Sequence, residues 1–276
     1  MQNFKLNEEF LLNNQDWTFP TFTAYGPGRF KEIGNFCKNF KINNALIVTD
    51  TGSVNLPFIS DLQNLLNDSK IKSDIYSNIS PNPRDDEIDS GCKKFREGNH
   101  DAIIAIGGGS AMDGGKAISL TVDSGVPLWD FEFEKEPPKL NMENPFPKII
   151  TIPTTAGTGA ETEVTAMVTH LEKGMKFCLW HPDARPCLAL IDPELTLKLP
   201  ANLTAWTGID AMIHAIEGYS VPMFHPLCDG SALESLNLIS KSLYAAVEEP
   251  DNLLARGGMI IGSYLGGIAF LKGLGL

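Results

Sequence analysis

The chain has 276 residues, 43% hydrophobic and 20% charged, enough for one large or two ordinary globular domains with a sizeable core. Its 34 acidic and 22 basic residues leave a net charge of −12, which repels a phosphate backbone and argues against nucleic acid as a partner. The longest charge-free apolar stretch, between Arg256 and Lys272, is 15 residues, short of the ~20 that cross a bilayer, so no membrane span is expected.

In chain order, the opening "MQNFKLNEEFLLNNQDW" lacks a basic region followed by an apolar core, so no leader is expected. The five cysteines (Cys37, Cys92, Cys178, Cys187 and Cys228) form no CxxC, which suits reduced thiols and a cytoplasmic location. "NNALIVTD" (43–50) reads as a strand, "FISDLQNLLND" (58–68) as an amphipathic helix, and "SDIYSNI" (73–79) as a second strand before the break "SPNPR". A helix over 87–99 precedes a third strand, "DAIIAIGGG" (101–109), and a helix opening at Ser110. The Pro- and charge-rich segment 131–148 reads as a long surface loop, and strands follow at 148–157, 164–169 and 188–194. This alternation predicts an α/β domain with a mostly parallel, Rossmann-like sheet. Past Pro200 only helical patterns remain, so we divide the chain into an α/β domain (1–197) and a helical domain (198–276).

Two loops stand at strand ends, where ligands bind in α/β sheets. In "IIAIGGGSAMDGGKAI", Gly108 and Gly109 would let backbone N–H groups approach a phosphate, with Ser110 as helix cap and Asp113 placed as in a capping box. The alternative is a tight strand-to-helix turn. Lys116 is followed by Ala117, so there is no Walker A loop, and Met112 breaks the hydrolase elbow. In "TIPTTAGTGAETE" (151–163), Thr154, Thr155 and Thr158 suit a diphosphate or ribose, or form a polar loop with local side-chain turns. Asp50 ends a strand where a carboxylate can accept from a ribose hydroxyl. It precedes the glycine loop, unlike the usual dinucleotide fingerprint.

In "GIDAMIHAIEGY" (208–219), Ile209, Met212, Ile213 and Ile216 follow helical spacing and are expected to form the core stripe. Asp210 and His214 lie one turn apart on the neighbouring face, either as two metal ligands or as an intrahelical pair. Two ligands are too few for a complete site, and His100, His170, His181 and His225 show no partner spacing.

"GGGSAMDGGKA", "IPTTAGTGAETE", "DPELTLKLP" and "GIDAMIHAIEGY", in this order, resemble the iron-containing (group III) alcohol dehydrogenases. The resemblance implies an N-terminal dinucleotide-binding domain, a C-terminal helical domain and a metal in the cleft between them. It implies hydride transfer between a small alcohol or aldehyde and NAD, with a divalent metal (iron, or zinc as the alternative), in a homo-oligomer. Carried over, Asp210 and His214 are metal ligands, and Gly108, Gly109 and Ser110 hold the pyrophosphate. Asp113, Thr154, Thr155 and Thr158 are further cofactor contacts, and Asn82 and Lys176 belong to the same cleft. Asp50 favours NAD over NADP, and no residue is assigned as general base. The family continues past "GLGL" into helices bearing further histidine ligands, so this chain is expected to be a C-terminally truncated form. Its apolar last segment, 257–271, fits that expectation. The competing expectations are a dehydroquinate-synthase-like or glycerol-dehydrogenase-like NAD/metal enzyme, and a non-catalytic nucleotide-binding remnant.

Overall fold

The computed structural model describes residues 21–140 and 145–272. The opening stretch read for a leader, four residues of the 131–148 segment and "GLGL" therefore lie outside the described residues.

Six parallel strands form the central sheet in the order β1-β8-β5-β4-β2-β3. They are β1 (Thr23–Tyr25), β2 (Asn44–Val48), β3 (Lys72–Tyr76), β4 (Ala102–Gly107), β5 (Lys148–Pro153) and β8 (Leu188–Ile191). The centre falls where the sequence is most continuously apolar. Ala102 to Ile106 of β4 are all fully buried, because a parallel strand with helices on both faces has no wet side. Alternate residues feed two cores. Ile103 and Ala105 pack with Ile88, Phe95 and Ile118 from α3 (Asp85–Glu97) and α4 (Gly109–Val122). Ile104 and Ile106 pack with Ile33, Phe36, Leu62 and Leu66 from α1 (Ile33–Asn39) and α2 (Pro57–Asp68).

Two strands are additional to the sequence reading. β1 is only three residues long and gains its identity by pairing with β8. β7 (Met175–Trp180) pairs antiparallel with β6 (Thr165–His170) in a separate hairpin, turned at Gly174 with φ +62°. The 131–148 segment is not wholly a surface loop. Phe131 is fully buried and its ring meets that of Phe146 edge-on at 6.0 Å.

After β8, Asp192 joins the parts. Its carboxylate caps a 3-10 turn at Glu194 N (3.0 Å) and accepts from Phe30 N (2.9 Å) across the sheet edge. Three helices follow: α5 (Ala201–Ser220), α6 (Pro226–Glu248) and α7 (Leu253–Ala269). Of the expected core stripe on α5 only Met212 packs against the core, and the three isoleucines do not. Ile209, Ile213 and Ile216 are 51%, 44% and 44% exposed, and the buried face is Thr204, Gly208, Ala211, Ala215 and Gly218. Small residues win that face because the neighbours come too close for large ones. A Cβ on Gly208 would lie 2.4 Å from Leu243, and one on Gly218 would lie 2.8 Å from Ala269.

The membrane expectation also needs adjustment. Leu253–Lys272 is a helix long and apolar enough to cross a membrane, with a mean hydropathy of 1.4, because Arg256 does not interrupt it. Of its most apolar 18-residue stretch 61% is buried within the fold, and Arg256 is tied to Thr204 Oγ1 (2.7 Å), Leu199 O (3.2 Å) and Pro250 O (3.0 Å).

Candidate functional site

The C-terminal ends of β2, β4 and β5 lie side by side, and each leads into one of the loops singled out by sequence. Thr154 N donates to Gly107 O at 2.9 Å, binding the second loop to the first. Gly107, at φ +144°, takes a conformation that L side chains rarely adopt. A Cβ there would lie 3.0 Å from Asp50 Oδ2 and 2.8 Å from Ala111. Asp50 is thus directly beside the glycine loop. Its carboxylate also organises its own turn, accepting from Gly52 N (2.9 Å), Ser53 N (3.0 Å) and Ser53 Oγ (2.8 Å).

The helix start differs from the expectation. Gly108 is the N-cap of α4, which opens at Gly109, and no side chain caps it. Ser110 is already inside the helix, and its hydroxyl donates to Pro81 O in the 80–84 loop. Asp113 pairs instead with Lys116 at 3.4 Å, so the capping box does not form. An uncapped helix start leaves its first N–H groups and its positive dipole end available to an anion. Across from it, a Cβ on Gly108 would sit 3.6 Å from Thr155 Cγ2, and one on Gly109 would sit 2.8 Å from Thr158 Cγ2. Asn82 and Lys176 meet at the rim, where Lys176 Nζ donates to Asn82 Oδ1 at 3.3 Å.

The threonine loop also touches the helical part. A Cβ on Gly157 would lie 2.7 Å from Thr207 on α5, and Gly159, at φ +66°, packs backbone to backbone on Gly267 of α7. Asp210 stands about one turn beyond Thr207 and His214 two turns beyond, with His214 Nε2 3.4 Å from Asp210 Oδ1. His214 rests against the Phe270 ring at 4.4 Å, and its buried Nδ1 has no hydrogen-bond partner. Two donors each about 2.1 Å from one tetrahedral ion stand about 3.4 Å apart, so this pair fits as two of its ligands. The described residues contain no group of three or more metal-ligating side chains. His225 does not join the pair, since its Nδ1 accepts from Cys228 N as the cap of α6.

Sequence reasoning passed over a buried charged cluster behind the loops. Lys116 is 1% exposed and donates to Ala160 O at 2.9 Å. Burial raises the Asp113 carboxyl above its ordinary range. Burial pushes Glu161 and Glu163 up to about 7 each. Glu163 accepts from Thr165 Oγ1 at 2.6 Å, whereas Glu161 Oε1 has no partner. The available signal was the lone lysine in the otherwise uncharged run "GGKAISL". A separate cavity of about 610 Å³, lined by Ser119, Lys148 and Cys187, opens at the opposite, N-terminal ends of β5 and β8, away from these loops.

A parallel sheet with helices on both faces and an uncapped helix start at its strand ends, joined to a helix carrying an Asp–His pair, defines an α/β protein of the kind that binds ligands at its strand ends. Comparison with known proteins gives the family. The profile described as "Iron-containing alcohol dehydrogenase" matches residues 20–193, and "Fe-containing alcohol dehydrogenase family, C-terminal" matches 204–274. The chain belongs to the iron-containing alcohol dehydrogenase family. It is 34% identical over 258 residues to the NAD-dependent methanol dehydrogenase of Bacillus methanolicus, across 93% of this chain and 66% of that protein. A 1,3-propanediol oxidoreductase crystal structure superposes with a TM-score of 0.87 at 32% identity, covering 94% of this chain and 66% of that one. Sulfoacetaldehyde reductase from Bifidobacterium kashiwanohense, in complex with NAD+, gives 0.84 at 31% identity, covering 94% of this chain and 67% of that one. The chain spans 57–66% of the length of the curated relatives it matches.

Proposed function

We propose that this chain carries the cofactor-binding part and two metal ligands of an NAD-dependent alcohol dehydrogenase or aldehyde reductase acting on a small alcohol. The observation carrying this reading is the convergence of three strand-end loops on one uncapped helix start, with the threonine loop continuing into contact with the helix of Asp210 and His214. The first amides of α4 meet the diphosphate. The Thr154, Thr155 and Thr158 hydroxyls face it from the second loop. Asp50 accepts from the ribose and rejects a 2′-phosphate by charge. Asn82 and Lys176 close the rim.

Asp210 Oδ1 and His214 Nε2 would hold a divalent metal, iron or zinc, with Phe270 packed on the imidazole to fix its plane. When bound, the metal supplies Lewis-acid polarisation of the substrate oxygen, and NAD supplies the hydride chemistry. We further read residues 1–197 and 198–276 as the two functional divisions, and α7 as a core helix. A cytoplasmic homo-oligomer with no nucleic-acid or membrane partner completes the reading.

Calorimetric titration of the purified chain with NADH tests it. Wild type should bind, and Gly108→Val should not at concentrations that saturate wild type. Gly108 has an ordinary φ of −80° and no atom within 3.6 Å of a new Cβ, so the fold should persist. Equal binding by both would reduce the glycine loop to a turn. Binding without turnover, even when the chain is supplied with metal and a panel of small alcohols, would favour the nucleotide-binding remnant.

A further inference from the structure

We propose that Lys116 is a positioning residue for the cofactor site, fastening the threonine loop to the helix that begins at the glycine loop. The proposal rests on the nucleotide reading above. Lys116 lies two turns into α4, and its side chain is 1% exposed. Removing an ammonium from water is costly, and an apolar side chain of similar length fills such a space more cheaply. The charge therefore has to be explained by what it touches.

Lys116 joins the two halves of the cradle. Nζ donates to Ala160 O in the threonine loop (2.9 Å) and lies 3.4 Å from Asp113 on its own helix. Three successive loop residues are then held from three directions. Thr158 packs on Gly109, Gly159 packs on Gly267, and the Ala160 carbonyl is held by Lys116. A carbonyl held by a buried charge is fixed more firmly than one facing water. The separation between the loop and the amides of α4 is the dimension a diphosphate would have to match.

Charge points the same way. The Lys116 ammonium, 3.4 Å from Asp113, also acts by charge on Glu161 and Glu163, and Lys176 acts on Asp113 from β7. The charge of Glu163 reaches Cys178 on β7, and that of Glu161 reaches Tyr264 on α7. Without Lys116, Lys176 alone is left to offset this acidic group behind the anion site. Lys116 acts through Ala160 and Asp113, and no contact with the cofactor is required of it.

The test compares wild type, Lys116→Met and Lys116→Arg by NADH calorimetry, thermal melting and hydrogen exchange. Lys116→Met should lower NADH affinity by about tenfold or more, the usual scale for losing a supporting contact. It should also speed amide exchange across residues 157–162 while β2 and β3 keep wild-type protection. Lys116→Arg keeps charge and donors and should recover most of the affinity. Lys116→Gln, polar but shorter, replaces the methionine variant if that fails to fold. A purely structural lysine would lower the melting temperature and leave the affinity of the folded fraction unchanged. Wild-type binding that Gly108→Val abolishes, together with unchanged affinity in Lys116→Met or Lys116→Gln, would overturn the positioning role alone. No NADH binding by wild type would overturn the cofactor reading and this one with it.

Discussion

Replacing Asp50 by asparagine separates its charge from its geometry. The amide oxygen can still accept from Gly52 N and Ser53 N, so the turn survives, while the charge that would repel a 2′-phosphate is gone. We expect Asp50→Asn to narrow the preference for NADH over NADPH by about tenfold, a change of about 1.4 kcal/mol. Parallel titrations with both cofactors check this, and a wild-type preference for NADPH would remove Asp50 from the ribose. The two glycines should also behave differently. Gly109→Val meets Thr158 Cγ2 at 2.8 Å from the new Cβ, so it should cost stability as well as binding, whereas Gly108→Val should cost binding alone. Thermal melts of the two variants separate the cases. Residues whose role follows from local chemistry were legible in the sequence, such as glycines at a strand end and an Asp–His pair one turn apart. Lys116, Glu161 and Glu163 were not, because their meaning comes from burial against one another, and burial is a tertiary fact.

Helix α5 shows where pattern reading misleads. Its large apolar residues trace a convincing stripe, yet the packed face is the one built of glycine and alanine. Periodicity identifies a helix and its phase, but it cannot tell which face a close neighbour occupies. Ile213→Ser should therefore change stability by only about 0.5 kcal/mol. Ala215→Leu, on the buried face, should cost about 1–3 kcal/mol. Denaturant titration distinguishes them, and the reverse order would restore the original stripe. The strands β1 and β7 were missed for another reason. A three-residue edge strand has too little pattern to read, and β7 is defined by its hairpin partner. The loop between β5 and β6 carries a pH signature. Glu161 and Glu163 have folded-state values of about 7 against an ordinary 4.5, so the folded chain binds protons more tightly there. Their contribution to stability is greatest below pH ~4.5 and is lost as pH rises toward ~7, each carboxyl losing at most about 1.4 kcal/mol for every pH unit crossed. Glu161→Gln should melt higher than wild type at pH 8, with the gap shrinking at pH 5. An equal gap at both pH values would show that Glu161 titrates normally.

At the scale of the whole molecule, the described residues hold the Asp210–His214 pair 3.4 Å apart and no group of three or more metal-ligating side chains. The purified 276-residue chain should retain little stoichiometric iron or zinc after dialysis and should oxidise no small primary alcohol or diol. One tightly held metal per chain with steady turnover would mean that a donor outside the described residues, or a neighbouring copy, completes the set. The α/β architecture and the helical end were legible because apolar runs and turn residues alternate plainly along the chain. The contact between these parts was not, because its tightest point is made by glycines that leave no side-chain pattern, beside a core in which Ala189 and Ile191 meet Ala211 and Ile260. That contact has a mechanical consequence. Side chains can slide past one another by changing rotamer, but the bare backbones of Gly159 and Gly267 leave nothing to give. A motion that pivoted at this point would move the parts close to it least. His214 is such a part, since its Cβ lies 3.8 Å from where a Cβ on Gly266 would be. Such a motion would widen the mouth of the cleft while changing the gap between the threonine loop and His214 least.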